Sequence, residues 1–268
     1  MEAFTRTVAR DPHHEPTVSH YKAWLAIGLS WVAGFVDLVG YLKLDHILNA
    51  NMSGNTVELA WFGTQVHLSS ALPRAWTILM FLCGLFLCAL IHEAGLRRRV
   101  RPVAAISLGL ELALLIAFVS LSQPSPAPRS GQGFYLLLAL PATAMGLQNA
   151  TLTRVGALSV RTTHITGTLS KFAEATSRYC FWLYDHTRGA GKGHIRDGLR
   201  LSRHHADFRD ACLTAALWFA FLFGAGAAGL LYPRVGVKAL APPIVLLCLF
   251  IVLDLRRPFS EINDVAGE

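Results

Sequence analysis

Charged residues are scarce in this chain. Only 15% of its 268 residues are Asp, Glu, Lys or Arg, whereas 53% are hydrophobic, and the mean hydropathy is +0.42. Soluble globular domains carry about 25% charged residues, and here the charges are bunched between long apolar stretches. The composition therefore excludes an ordinary soluble protein and indicates an integral membrane protein.

Motifs for metal binding and catalysis are also missing. The five cysteines form no C-x-x-C pair, so we predict packing residues rather than disulfides or ligands. The histidines between residues 186 and 205 match no closed metal site. A phosphate loop, G-x-S-x-G and H-E-x-x-H do not occur. We predict no metal, no cofactor and no catalytic residues; an intramembrane enzyme using Asp37 or Glu111 with His164 is the least favoured alternative.

Six apolar stretches approach the length needed to cross a membrane. About twenty mostly apolar residues span a hydrocarbon core of roughly 30 Å. The predicted spans are residues 23–42, 72–91, 103–121, 134–152, 211–232 and 237–253. They belong to one transmembrane domain over 22–258, preceded by a disordered leader at 1–21 and followed by a tail at 259–268. The predicted fold class is all-α, a polytopic bundle of about six transmembrane helices.

Lys and Arg are concentrated on one side of these spans. With the N-terminus inside, 19 of the 24 fall in cytoplasmic segments and five fall outside. The positive-inside rule then predicts that both termini are cytoplasmic. This bias and attraction to anionic lipid account for the net charge of +7. Nucleic acid is therefore not an expected partner, whereas the lipid bilayer is.

A pair of motifs occurs twice along the chain. The first copy comprises residues 34–37 and 51–56, and the second comprises 146–149 and 163–168. The copies align at offsets of 112 and 113 positions, which pairs Asp37 with Asn149 and Ser53-Gly54 with Thr166-Gly167. Internal repeats of this kind decide architecture.

The repeat predicts an inverted architecture. Repeat one covers residues 22–121 and repeat two covers 134–255, with three predicted spans in each. Because three is an odd number, the second copy enters the membrane in the opposite orientation. Many secondary transporters are built from such inverted repeats with discontinuous helices near the midplane.

The motif segments are predicted to be broken or re-entrant, with a helix starting beside each hydroxyl–glycine pair. Hydroxyls, side-chain amides and free backbone N–H groups at a helix start can bind a small polar or anionic solute. The predicted solute-binding residues are Asn51, Ser53, Gly54, Asn55, Thr56, Gln148, Asn149, Thr163, Thr166, Gly167 and Thr168. In the alternative interpretation the glycines permit tight turns and the hydroxyls cap helices.

Two acids lie within predicted spans, Asp37 in the first and Glu111 in the third. A carboxyl group is costly in a membrane and is expected to face the protein interior. We predict that both serve proton or ion coupling. For Asp37 the alternatives are a structural acid hydrogen-bonded to the broken segment or one that lies near the interface, and for Glu111 the alternative is pairing with a buried polar group of the motif segments. Asn149 cannot titrate, so coupling differs between the halves.

The motifs resemble the YoaK family of bacterial inner-membrane proteins. The patterns are G-x-x-D at 34–37, N-x-[ST]-G-N-T at 51–56, G-x-Q-N-A at 146–150 and T-T-x-x-T-G-T at 162–168, within a resemblance that covers about 23–255. Ser53 stands where the family more often has threonine, which keeps the hydroxyl. The resemblance implies a multi-spanning protein of the bacterial inner membrane and, because the family has no settled activity, implies no function.

The leading functional hypothesis is a permease for a small polar or anionic solute, proton-coupled through Asp37. It depends on the repeat and the broken segments, which is an analogy of architecture. The alternative is a membrane scaffold or partner-binding protein that acts through its basic cytoplasmic loop at 186–210, a loop absent from the first half. A homo-oligomer is compatible with both hypotheses.

Overall fold

Helices make up nearly all of the described protein. The computed structural model describes residues 20–100, 102–122, 131–154, 165–187 and 205–256, and these ranges contain no strand. The helices are α1 (His20–Lys43), α2 (Met52–Thr64), α3 (Leu68–Arg97), α4 (Val103–Leu121), α5 (Gln132–Arg154), α6 (Ile165–Thr187), α7 (Ala206–Val235) and α8 (Ala241–Arg256). A 3-10 turn, Gly236–Leu240, joins the last two. The predicted leader up to residue 19, Thr163 and loop residues 188–204 lie outside the described residues.

Four stretches of described helix are long and apolar enough to cross a membrane. They are Lys22–Lys43, Leu68–Arg97, Val103–Leu121 and Ala206–Arg256. The last of these contains both α7 and α8. The stretches and the helical fold make this a polytopic helical membrane protein, as the sequence predicted. α5 is less apolar because it carries Gln148 and Asn149, and it is not among the four.

Helices α1 and α7 cross each other at a pair of glycines and make one of the two most extensive contacts in the fold. A Cβ atom on Gly34 would collide with the backbone carbonyl of Phe221. In return, a Cβ atom on Gly224 would collide with the carbonyl of Trp31. Small residues at such crossings let two helix backbones approach closely. Any larger side chain at either glycine would force α1 and α7 apart.

Helices α3 and α5 make an equally extensive contact in the same way. A Cβ atom on Gly84 would collide with the carbonyl of Thr143, and one on Gly146 would collide with the carbonyl of Phe81. The other helices pack around these two pairs. Helix α2 lies against α3, α6 lies against α7, and α4 lies against both α5 and α8.

Candidate functional site

Asp37 fastens the segment that follows α1. Its side chain is buried, and its Oδ1 atom accepts hydrogen bonds from the backbone N–H groups of Asn49 at 2.7 Å and Ala50 at 2.9 Å. Helix α1 ends at Lys43, six residues after Asp37, which corresponds to about 9 Å of helix at 1.5 Å per residue. The chain therefore turns back alongside α1 before α2 begins.

Asn49 reinforces this return by packing on a glycine. A Cβ atom on Gly40, one turn after Asp37, would collide with the side-chain amide of Asn49. Asn49 is fully buried, and within the described residues neither polar atom of its side chain has a hydrogen-bond partner. The predicted site omits Asn49 and Gly40, although Gly40 lies on the same face of α1 as Asp37.

The hydroxyls of the first motif make local hydrogen bonds at the start of α2. Asn51 is the N-cap, and its Oδ1 atom accepts from the Ser53 hydroxyl at 2.8 Å and from the Gly54 N–H at 3.2 Å. The Thr56 hydroxyl donates to the Met52 carbonyl at 2.7 Å. These contacts are those of a capped helix start. The side chains of Asn51, Ser53 and Thr56 are nonetheless exposed.

Asn55 differs from its neighbours because it is buried. Its Nδ2 atom donates to the Leu48 carbonyl at 2.7 Å, which ties the first turn of α2 to the returning segment. With Asp37 it holds both ends of residues 48–50. These contacts give Asp37 and Asn55 a structural part in shaping the segment.

In the second copy, Gln148 and Asn149 are buried in α5. The Gln148 Nε2 atom donates to the backbone carbonyl of Leu29 in α1 at 2.6 Å, so this residue links the two halves of the chain. Within the described residues, Gln148 Oε1 and Asn149 Oδ1 have no hydrogen-bond partner. Among the described residues, two acceptor oxygens are thus left without a partner in the buried interior of the helix bundle.

The second hydroxyl–glycine motif lies in the first turn of α6, which begins at Ile165. Thr166 is exposed, Gly167 is half-buried and Thr168 is buried. Thr163 lies outside the described residues. The two motifs therefore take equivalent places, each at the start of the helix that follows a long helix, α1 or α5.

Glu111 lies near the middle of α4, away from both motifs along the chain. Its side chain is fully buried, and neither carboxyl oxygen has a hydrogen-bond partner among the described residues. In contrast, the Oδ1 atom of Asp37 accepts hydrogen bonds from two backbone N–H groups. The two predicted coupling acids are therefore in different chemical situations.

Sequence reasoning missed two further buried charges. Arg74 in α3 donates from Nε to Glu58 of α2 at 2.7 Å, and its guanidinium lies 4.7 Å from the centre of the Phe62 ring. Asp254 in α8 accepts the N–H of Ala105 at 2.7 Å and so caps the start of α4. The described residues contain no group of three His, Cys, Asp or Glu side chains that could hold a metal.

Comparisons with known proteins agree with the motif pattern. The chain is 29% identical over 167 residues to the UPF0700 transmembrane protein YoaK of Bacillus subtilis (strain 168), an alignment that covers 62% of this chain and 72% of that protein. No solved structure matches. The family model described as protein of unknown function (DUF1275) matches residues 25–253. Because this match spans most of the chain, the protein belongs to the YoaK-like family of unknown function, DUF1275.

Proposed function

We propose that the protein is a permease for a small polar or anionic solute, a transporter rather than an enzyme. It lies in the bacterial inner membrane with both termini in the cytoplasm. Six spans form two inverted three-helix repeats, made by α1, α3 and α4 and by α5, α7 and α8. The helix starts that carry the motifs, in α2 and α6, enter the membrane from opposite sides.

The matched glycine crossings are the observation that carries this proposal. At each crossing, every glycine meets the carbonyl that lies three residues before the glycine of the other helix. Gly34 of α1 and Gly146 of α5 are 112 positions apart, and so are Trp31 and Thr143, whose carbonyls are contacted. Gly84 of α3 and Gly224 of α7 are 140 positions apart, and so are Phe81 and Phe221, whose carbonyls are contacted. Exchanging the two halves of the chain therefore maps one crossing onto the other. A duplication of one half predicts this match in the glycine positions of the two crossings.

The returning segment after α1 supports re-entry. Asp37 holds it against the last turns of α1, so the chain has already folded back when α2 starts at Met52. Helix α2 has 13 residues, about 20 Å at 1.5 Å per residue, and roughly 30 Å is needed to cross the hydrocarbon core. A short helix that starts behind a fold-back is the geometry of discontinuous helices in transporters.

The chemistry at the two helix starts supports a polar or anionic solute. The first N–H groups of a helix have no intrahelical partner and carry a partial positive charge. Ser53 and Thr166 place exposed hydroxyls beside those groups in α2 and α6. In α2 the Ser53 hydroxyl and the Gly54 N–H donate to Asn51 Oδ1, so a carboxylate, phosphate or neutral polar group would accept these hydrogen bonds in place of Asn51.

Flux measurements in vesicles reconstituted with the purified protein test the proposal. We expect at least one small polar or anionic solute to move under an ion gradient. Replacing both Ser53 and Thr166 with alanine should lower that flux by about tenfold or more, the equivalent of about one hydrogen bond per site. Thr64→Ala, at the far end of α2 with its hydroxyl bonded to Trp61 O at 2.7 Å, is the matched control. Absence of flux for every solute and gradient would contradict a permease.

The scaffold alternative is favoured by one observation. The ends of α6 and α7, which flank the basic loop, are joined by aromatic rings and an ion pair. The Trp182 and His205 rings lie 4.3 Å apart, and Arg178 donates to Asp207 at 2.8 Å. These contacts hold together the end of α6 and the start of α7, between which the loop runs, as expected for a loop that docks a partner. Deleting residues 188–204 should abolish partner binding in a scaffold and leave solute flux intact in a permease.

A further inference from the structure

We infer that Glu111 is a buried proton-binding site and that its proton is shared with the side-chain oxygen of Gln148. The coupling role of this site rests on the proposed permease, whereas proton binding itself does not. The proton is bound at Glu111, whereas Asp37 is a structural group.

The surroundings of Glu111 favour a neutral carboxylic acid. Its side chain has no exposed surface, and it shares the inner face of α4 with the fully buried Leu108 and Leu115. Burying an unpaired carboxylate costs several kcal/mol even after relaxation. Protonation removes that cost, but the resulting O–H group then needs an acceptor.

Gln148 supplies the acceptor. Its amide orientation is fixed because the Leu29 carbonyl, 2.6 Å from Nε2, can only accept a hydrogen bond. The Oε1 atom must therefore point away from Leu29, and it is buried with no partner among the described residues. Once Glu111 is protonated, its O–H group can donate a hydrogen bond to Gln148 Oε1, which satisfies both groups.

A shared neighbour places the two side chains at the same depth. The Sγ atom of Cys88 in α3 lies 3.8 Å from the Ser107 hydroxyl of α4 and 3.4 Å from the Thr151 hydroxyl of α5. Glu111 follows Ser107 by four residues, and Gln148 precedes Thr151 by three. Helix α4 runs antiparallel to α3, because Gly95 lies against Val103 and Cys88 against Ser107, whereas α5 runs parallel to α3, because Gly84 lies against Thr143 and Cys88 against Thr151. Both side chains are therefore displaced from Cys88 in the same direction along the helices, by about 6 Å and about 4.5 Å at 1.5 Å per residue.

Among the described residues, the titratable groups on the helices around α4 lie away from Glu111. We therefore assign a proton, rather than a charged side chain or a metal ion, to its carboxyl group. From α3, the Cys88 Sγ atom lies 3.8 Å from the Ser107 hydroxyl, which is one helical turn before Glu111, and the buried His92 is one turn farther along α3. From α8, Asp254 binds the N–H of Ala105, six residues before Glu111. Residues 132–151 of α5 include no Asp, Glu, His, Lys or Arg, and Lys238 of the 3-10 turn is exposed. The two carboxyl oxygens of Glu111 and the Oε1 atom of Gln148 make three side-chain oxygens, whereas a calcium ion takes roughly six oxygen ligands or more.

Infrared spectroscopy of the purified protein tests the site without any transport assay. At neutral pH we expect the C=O stretching band of a protonated carboxylic acid. Growth on ¹³C-labelled glutamate should shift this band, and labelled aspartate should not. Glu111→Gln should remove the band, whereas Glu93→Gln, a variant at the exposed acid paired with Arg97 at 2.8 Å, should retain it. Asp37→Asn should also retain it.

Gln148→Leu tests the shared proton. The band should remain and move to higher frequency, because the carboxyl O–H loses its acceptor. An unmoved band would overturn the role of Gln148. No protonated band at neutral pH, or a band that follows labelled aspartate or disappears in Asp37→Asn, would overturn the site at Glu111.

Flux measurements separate the failure of this site from the failure of the permease. If the spectra behave as expected and no solute moves, the proton site stands and the proposed function is wrong. If solute moves with a proton gradient equally well in the wild type and in Glu111→Gln, the permease stands and the coupling role of Glu111 is wrong.

Discussion

Asp37 shows how a single side chain can shape a segment of membrane protein. The sequence left two interpretations of this acid, a coupling site and a structural group. Its two hydrogen bonds to the amides of Asn49 and Ala50 favour the structural interpretation. A charged acceptor suits this task because charge-assisted hydrogen bonds are roughly twice as strong as neutral ones.

Removing this acceptor should destabilise the protein. Asp37→Ala leaves two buried N–H groups without a partner, and each such loss costs about 1 to 3 kcal/mol. Asp37→Asn keeps one oxygen and should cost less. Thermal unfolding in detergent measures the difference, with Asp185→Ala at an exposed acid of α6 as the control. Equal stability of Asp37→Ala and the control would contradict the structural role.

Arg74 should matter more than a surface arginine. Its side chain is only 9% exposed, and it bonds both Glu58 of α2 and the carbonyl of Ser70. We expect Arg74→Ala to destabilise the α2–α3 hairpin by about 2 kcal/mol, since it removes a mostly buried, hydrogen-bonded charge. Arg97→Ala is the control, because Arg97 is 77% exposed and surface pairs contribute about 0 to 1 kcal/mol. An equal loss of stability in Arg74→Ala and Arg97→Ala would contradict the larger role of Arg74.

At the scale of elements, two glycine crossings decide which helices pair. The sequence shows several small residues in the fifth predicted span, among them Gly224 and Gly226, as packing candidates. The structure separates them: Gly224 lies against the backbone of α1, whereas Gly226 has no atom within 4 Å of a Cβ position. Composition alone cannot make this distinction, because it depends on the face of the helix.

Alanine substitutions should reveal the same distinction. Gly224→Ala forces a methyl group into the carbonyl of Trp31, and overpacking of this kind costs about 1 to 3 kcal/mol. Gly226→Ala meets no obstacle and should be neutral or gain up to about 1 kcal/mol, because alanine is the better helix former. Thermal unfolding of the two variants side by side is decisive. Equal effects would show that the crossing is not tight.

Some elements were predictable and others were not. Long apolar runs predicted the main helices, and the cluster of Asn, Ser and Thr predicted a short helix over residues 57–62 with its start close to Ser53-Gly54; α2 starts earlier, at Met52, and contains that pair. The pairing of α1 with α7 and α3 with α5 was not predictable, because it joins residues far apart in sequence. Arg74 is one of the five basic residues that the sequence predicts on the outer side, although its side chain is buried against α2. Contact with a distant element leaves no local trace in the sequence.

For the whole molecule, the sidedness of the two motifs is the property to measure. Single cysteines at Ser53 and Thr166, in a version without the five native cysteines, can be labelled with an impermeant thiol reagent in intact cells and inverted vesicles. We expect slow labelling of each site, Ser53→Cys from outside and Thr166→Cys from the cytoplasm, because a re-entrant segment limits access. Labelling as fast as Ser125→Cys and His194→Cys controls in predicted loops would mean that the motifs are surface turns.

The glycine crossings also bear on where such a chain came from. Each crossing joins a helix of the first half to a helix of the second, so neither half can bury its own glycine faces. Under the proposed repeat, a lone first half would find matching faces on another copy of itself inserted upside down. An ancestor of half this length would then have been a dual-orientation dimer, and the present chain joins its two subunits in one polypeptide.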